Sequence, residues 1–257
     1  MTRARSVLRR KAGAVLVAGL VSVSAPGALA GSNSSGRRPR CDGRRATVVG
    51  TPGDDVITAA GVVFAGPGDD RVIASADGTV VCGGPGDDTI SGEGTLKGGL
   101  GRDHVWGDGT LLGGPGDDRI GVFGRAARNE TSSSYGELRG GRGDDRIRGS
   151  HQLNGGRGDD HLVGSSSDDR FEPGPGDDNI RGVANDWDPS EQPGPGHDAL
   201  DLRGSPRAVR VDVEAGIAIG WGRDSFSGLH RIRGSRFDDR IFGLRTRTVL
   251  PDARGDS

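Results

Sequence analysis

The sequence predicts an all-β chain wound into a parallel β-roll, a β-solenoid of Gly/Asp-rich repeats finished by a C-terminal β cap. Three observations carry that prediction: a nine-residue unit that recurs, a 15-residue spacing between many of its copies, and an aliphatic residue at one fixed place in each half of that spacing. The unit reads Gly-Gly-x-Gly-x-Asp-x-U-x, with U a large aliphatic residue, as in GGPGDDTIS (Gly83 to Ser91) and GGRGDDRIR (Gly140 to Arg148). Full or degraded copies begin at positions 50, 65, 83, 98, 113, 140, 155, 164, 173, 193 and 234.

Starts at 83, 98 and 113, and again at 140 and 155, lie 15 residues apart. Between these motifs sits a shorter half-unit, GEGTLK (Gly92 to Lys97), GDGTLL (Gly107 to Leu112) or GSHQLN (Gly149 to Asn154), so each coil holds two short strands joined by two turns. Val72, Ile90, Val105, Ile120, Ile147 and Leu162 mark the motif strands, and Val63, Val81, Leu96, Leu111, Leu138 and Leu153 stand two residues before the next motif. Stacked at about 4.8 Å per strand, they form two facing aliphatic ladders. The core is continuous but thin.

The same register creates an electrostatic problem. Asp88, Asp103 and Asp118 fall above one another, about 5 Å apart, and repel by roughly 1 kcal/mol in water and about 3 to 4 at an effective dielectric of 20. Such a column needs a cation between its members. Calcium suits it, because it takes six to eight hard oxygen ligands in flexible geometry and a glycine turn aims backbone carbonyls inward beside each carboxylate; magnesium demands a tighter octahedron. Ordinary solvated turns are the competing reading, with Arg71, Arg119, Arg146 and Arg170 screening the charge.

By these residues the chain resembles the hemolysin-type calcium-binding repeat family (repeats-in-toxin) over roughly residues 46 to 243. The resemblance implies that the sixth-position aspartate supplies the side-chain ligand and that turn carbonyls of two adjacent coils supply the rest. Those aspartates are Asp55, Asp70, Asp88, Asp103, Asp118, Asp145, Asp160, Asp169, Asp178, Asp198 and Asp239, with several Ca2+ ions as the implied cofactor. Departures mark weaker sites: GSSSDDRFE (Gly164 to Glu172) lacks the second and fourth glycines, PGPGHDALD (Pro193 to Asp201) has His197 at the fifth position, and Ala65 replaces a first glycine. Insertions at roughly 121–134 and 182–192 interrupt the rhythm and are expected to loop out.

The expected organisation is a signal peptide at 1–30, an N-terminal segment at 31–45, the calcium-binding roll at 46–198, a β cap at 199–243 and a flexible tail at 244–257. The leader has a basic start (Arg3, Arg5, Arg9, Arg10, Lys11), an apolar run from Ala12 to Val23, and Ala28-Leu29-Ala30 before Gly31, which predicts export and a secreted, extracellular protein. No other stretch is apolar enough to span a bilayer. In the cap, alternating Val209, Val211 and Val213, then Ile217 and Ile219 around Gly216, read as the longer strands that close a solenoid end.

Hydrophobic residues are 32% of the chain and aromatics 4%, against 49 glycines, so ordering the backbone is costly and the metal-free chain is expected to be disordered. Removing the leader's five basic residues from 34 leaves 29 against 36 acidic ones, a charge of −7. That balance favours cations over nucleic acid as partners. Cys41 and Cys82, an even number in an exported chain, favour one disulfide closing a loop of about 40 residues, worth roughly 3 to 4 kcal/mol; two free thiols are the alternative.

Catalytic signatures are missing: no His-Glu-x-x-His, no Gly-x-Ser-x-Gly and no Cys-His pattern, and Asp224-Ser225-Phe226-Ser227-Gly228 reads as a turn in the cap. Histidines 104, 151, 161 and 230 read as surface residues, and two of three Arg-Gly-Asp triplets belong to the calcium turns. A secreted, non-enzymatic calcium-binding protein that folds on binding is therefore the expectation. A calcium-rigidified adhesin or matrix protein contacting a cell wall or glycan, with Trp221 as a contact, is the alternative, and a calcium-dependent polysaccharide lyase is a third reading.

Overall fold

The computed structural model describes residues 22–24, 38–122, 137–149, 151–165, 167–182 and 197–243. Among them there is no helix, hence none long and apolar enough to cross a membrane, and the strands stack as parallel coils of a β-solenoid. Both insertions fall largely outside the described residues, as does the expected tail.

Two parallel ladders make up the roll. One runs through the strands that end the motifs: Val56–Ala59, Arg71–Ala74, the starts of Thr89–Leu100 and His104–Pro115, Arg119–Val122, Arg146–Arg148, His161–Val163, Asn179–Arg181 and Arg223–Ser227. The other runs through the half-unit strands, from Val48–Val49 and Val62–Phe64 through Thr79–Pro85, Glu137–Arg142 and Gln152–Arg157 to Arg170–Glu172, Ala199–Asp201 and Arg231–Arg233. Register follows the aliphatic residues. Ile57, Val72, Ile90, Val105, Ile120, Ile147, Leu162 and Ile180 stack in the first ladder, and Val63, Val81, Leu96, Leu111, Leu138, Leu153, Phe171 and Leu200 in the second, all of them buried in one core. Because strand side chains alternate in direction, the residue before each core aliphatic points out, as Arg71, Arg119 and Arg146 do. Those guanidiniums face solvent and do not cover the aspartates.

The step of nine between the copies at 155, 164 and 173 has a topological consequence. A nine-residue step is one strand and one turn, so Arg170–Glu172 lands in the half-unit ladder, pairing Phe171 with Leu153 and Leu200. The aspartates of 164 and 193 therefore stand on the opposite edge from the rest. Nor does the stack break at the expected boundary after residue 198. Ala199–Asp201, Arg223–Ser227 and Arg231–Arg233 continue the ladders. Only the hairpin of Arg210–Asp212 and Ile217–Ile219, whose second strand is antiparallel to Arg223–Ser227, and Arg240–Phe242, parallel to Arg210–Asp212, lie beyond them.

In that hairpin the turn, with Gly216 at φ 66°, sets Val211 opposite Ala218. Val209, Val211 and Ala218 are consequently buried, while Ile217 is half-buried and Ile219 exposed. At the other end Ser22–Ser24, inside the segment read as a leader, pairs antiparallel with Val56–Ala59. Cys41 and Cys82 form a disulfide that pins the small hairpin of Arg40–Cys41 and Arg44–Arg45 to the early coils, helped by an ion pair between Lys97 and Asp42.

Candidate metal centre

Each motif turn must bring its aspartate inward while the coil above and below stays one strand spacing away, and the glycines make that geometry possible. Gly84, Gly99 and Gly114 at the second position, and Gly86, Gly101 and Gly116 at the fourth, have φ between 128° and 143°, a region that L side chains rarely adopt. A Cβ at any of these six would sit against the matching glycine carbonyl of the preceding coil. First-position glycines serve a different end. A Cβ on Gly83, Gly140 or Gly155 would overlap the Oδ2 of its own Asp88, Asp145 or Asp160 and come within about 2.6 Å of the carbonyl oxygen of Gly98, Gly155 or Pro173 in the next coil. A carboxylate oxygen and a backbone carbonyl of two coils thus share one small space.

The sixth-position aspartates do form a column. The backbone amide of Asp88 donates to Oδ1 of Asp103 at 2.8 Å, that of Asp103 to Asp118 at 2.8 Å, and that of Asp118 to Asp145 at 2.8 Å. The same bond links Asp55 to Asp70, Asp70 to Asp88, Asp145 to Asp160 and Asp160 to Asp178. Fifth-position residues run the other way: the amides of Asp69, Asp87 and Asp159 donate back to the carboxylates of Asp54, Asp69 and Asp144. The fifth-position side chains are exposed, whereas the sixth-position ones are buried, Asp239 excepted. Asp169 and Asp198 make a second, shorter column on the opposite edge, the amide of Asp169 donating to Asp198 at 2.9 Å. Asp239 stands apart, accepting from the amide of Val209 at 2.8 Å.

One further member was not expected. Asp178 donates through its amide to Asp224 at 3.3 Å, so Asp224, buried, continues the main column. Its segment, Ile219 to Ser227, keeps the second and fourth glycines (Gly220, Gly222), the sixth aspartate and Phe226 at the aliphatic place. Only the first glycine is lost, and that loss hides the copy from a search for Gly-Gly.

One oxygen of most of these carboxylates has no partner. Oδ2 of Asp70, Asp88, Asp103, Asp118, Asp145, Asp160, Asp178 and Asp198, and Oδ1 of Asp55, are buried without a hydrogen bond. An orphaned buried polar group costs about 1 to 3 kcal/mol, more when charged, so a cation is called for. Among the described residues no three His, Cys, Asp or Glu side chains converge. The available donors are therefore one hard carboxylate per coil and backbone carbonyls, which suits calcium and not the nitrogen and sulfur preference of zinc.

Burial acts on the titration of the column. Removal from water, reinforced by neighbouring carboxylates and opposed by the amide bonds, pushes Asp145 and Asp178 up to about 8, Asp88, Asp118, Asp160 and Asp224 to about 7, and Asp70 to about 6, from an ordinary value of 3.8. Asp201, by contrast, is held below the ordinary range: burial opposes its ionisation, but Arg203 and Arg170 outweigh it. A raised carboxylate means that the metal-free roll binds more protons than the unfolded chain between about pH 4 and 8, so its stability falls as pH rises through that window. The metal-free protein should accordingly show more β signal by circular dichroism at pH 5 than at pH 8. Calcium, competing with those protons, should bind more weakly at pH 5; metal-free stability that increased with pH would contradict the buried column.

The family model of the RTX calcium-binding nonapeptide repeat matches the chain in four copies, over residues 80–94, 137–151 and 152–180. No curated protein matches the chain, and no solved structure does. The matched segments supply coils of both ladders and the column members Asp88, Asp145, Asp160, Asp169 and Asp178 or the turns beside them. Over those segments the chain matches RTX calcium-binding nonapeptide repeats, and their strands are wound into a parallel β-roll.

Proposed function

We propose that this is a secreted, non-enzymatic protein whose roll binds several calcium ions between stacked coils and folds on binding them. The observation that carries the reading is the row of buried carboxylate oxygens left without a partner. Asp70, Asp88, Asp103, Asp118, Asp145, Asp160, Asp178 and Asp198 would hold the ions through those oxygens, and Asp224 joins them as the column's last member. When bound, calcium supplies the positive charge that cancels repulsion along the column. The chain's own part is to aim oxygens with glycine turns, to keep the carboxylates dry and to hold each in place through the amide of the coil before it.

The leader supports export, and the Cys41 to Cys82 disulfide suits an oxidising compartment. Processing before Gly31 would remove Ser22–Ser24 from the edge of Val56–Ala59. Circular dichroism and calorimetry during a calcium titration of the mature chain test the reading. A disordered metal-free chain that gains β structure at millimolar calcium, and much less at equal magnesium, is the expected result. A metal-free chain already folded and binding no calcium would overturn it.

A second reading, a calcium-stiffened adhesin or matrix protein, is favoured by one surface feature. A pocket of about 370 Å³ lies between the half-unit strands and the cap, lined by Trp221, Arg170, Arg203, Glu172 and Asn154. An aromatic wall beside several planar polar side chains suits a sugar ring.

A further inference from the structure

Three coils depart from the glycine turn in one shared way. At the second position, where the other described coils have glycine, the copies at 50, 164 and 234 carry Thr51, Ser165 and Ser235. In each, the hydroxyl accepts a hydrogen bond from the amide two residues on: Gly53 at 3.3 Å, Ser167 at 3.2 Å and Phe237 at 3.1 Å. In each it also bonds the coil's own sixth-position carboxylate: Thr51 to Asp55 Oδ2 at 3.1 Å, Ser165 to Asp169 Oδ2 at 3.2 Å and Ser235 to Asp239 Oδ1 at 2.6 Å. The backbone amides of Thr51 and Ser165 donate to the same Oδ2 atoms, at 2.5 and 2.6 Å.

The backbone follows the side chain. None of Thr51, Ser165, Ser235, nor the fourth-position Gly53, Ser167 and Phe237, has a positive φ, whereas the second and fourth glycines of the coils that begin at 65, 83, 98, 113, 140, 155 and 173 do; Gly220 and Gly222 of the Asp224 coil do not. These three turns consequently aim their carbonyls differently. The oxygen that is orphaned in glycine coils, Oδ2, is satisfied in Asp55 and Asp169, but only Asp169 has both oxygens bonded: Oδ1 of Asp55 is orphaned, and Asp239 is half-exposed with both its bonds on Oδ1.

Their position is also systematic. Asp55 opens the main column and Asp169 opens the second, receiving the amide of His151 from a turn that is not a motif; Asp239 receives that of Val209, likewise outside a motif. A cation held between two glycine turns finds no such turn on the outer side of these residues.

We propose that Ser165 stands in for calcium, so that the coil of Asp169 closes on hydrogen bonds and takes no ion of its own. This rests on the calcium reading above. The ions then belong to the glycine coils, and the second column begins at a coil that metal does not close. Hydrogen bonds satisfy both carboxylate oxygens there, Oδ1 through the amide of His151 and Oδ2 through the hydroxyl and amide of Ser165.

Counting bound calcium by native mass spectrometry on the full mature chain tests this. Asp169→Asn should leave the count of the wild type unchanged, and Asp145→Asn should lower it by at least one. Ser165→Gly, which keeps the carboxylate and restores the second glycine, should raise it by one. Circular dichroism in calcium establishes that each variant is folded; should Asp169→Asn fail to fold, Ser165→Gly alone decides. An ion lost with Asp169→Asn, or an unchanged count in folded Ser165→Gly, would overturn the proposal. Calcium binding absent from the wild type would instead defeat the reading on which it rests.

Discussion

Asp103→Asn is expected to move the metal-free and calcium-loaded states in opposite directions. Asp103 sits mid-column: its Oδ1 accepts from the amide of Asp88, its own amide donates to Asp118, and its Oδ2 is orphaned against Gly98. Asparagine keeps the size and the Oδ1 acceptor. In the metal-free roll the substitution removes a buried charge whose carboxyl is pushed up to about 6 by burial, with the nearby Asp87 carboxylate adding to it. Residual metal-free structure should therefore rise at pH 8. In calcium the variant loses a charged ligand at the middle of the stack, so its calcium midpoint should rise about tenfold, equivalent to ~1.4 kcal/mol. Parallel circular dichroism titrations with and without calcium measure both. Equal loss of structure in the two states would mean that Asp103 serves packing and not metal.

The second large effect belongs to a glycine. Gly116 has φ 142°, and a Cβ there would lie on the carbonyl oxygen and carbon of Gly101 in the coil beneath. Neither atom can retreat, because the amide of Gly101 donates to the carbonyl of Pro115 and the strand pairings on both sides fix the two coils. Gly116→Ala should therefore cost about 3 kcal/mol or more, combining backbone strain with a steric clash. Gly53 occupies the same fourth position in the first coil, has no positive φ and has open space where a Cβ would go. Gly53→Ala should change stability by less than about 0.5 kcal/mol. Thermal melts of both in saturating calcium make the comparison, and similar losses would refute the stacking geometry.

Much of the fold can be read from spacing, because a solenoid repeats one local solution. Fifteen residues per coil and two aliphatic places fix the register of Ile90 on Val105 and of Leu96 on Leu111 without any long-range information. What spacing conceals is any change in the unit. A nine-residue step moves Phe171 to the opposite ladder, and nothing in the motif itself announces the move. Alternation in the cap offers two faces, and only the turn length at Gly216 decides that Ala218 is buried instead of Ile217 and Ile219.

The candidate site was legible to the extent that its aspartates keep their place. Asp88, Asp103 and Asp118 stack as their register requires. Asp224 escaped because Ile219 stands where the repeat begins, although Gly220, Gly222 and Phe226 hold the remaining positions. Thr51, Ser165 and Ser235 look in sequence like lost glycines. Their hydrogen bonds to the carboxylates depend on a backbone conformation that the repeat pattern does not encode.

The disulfide between Cys41 and Cys82 gains a mechanical meaning from the direction of the ladders. Hydrogen bonds between successive coils run along the axis of the roll, so a pull on the two ends opens them one coil at a time instead of shearing many together. Each 15-residue coil that lets go yields about 50 Å of chain while shortening the roll by about 5 Å. Unravelling that starts at the C-terminal end can proceed only as far as residue 82, where the covalent bridge encloses the first coils. Under tension the roll therefore lengthens coil by coil up to a fixed stop.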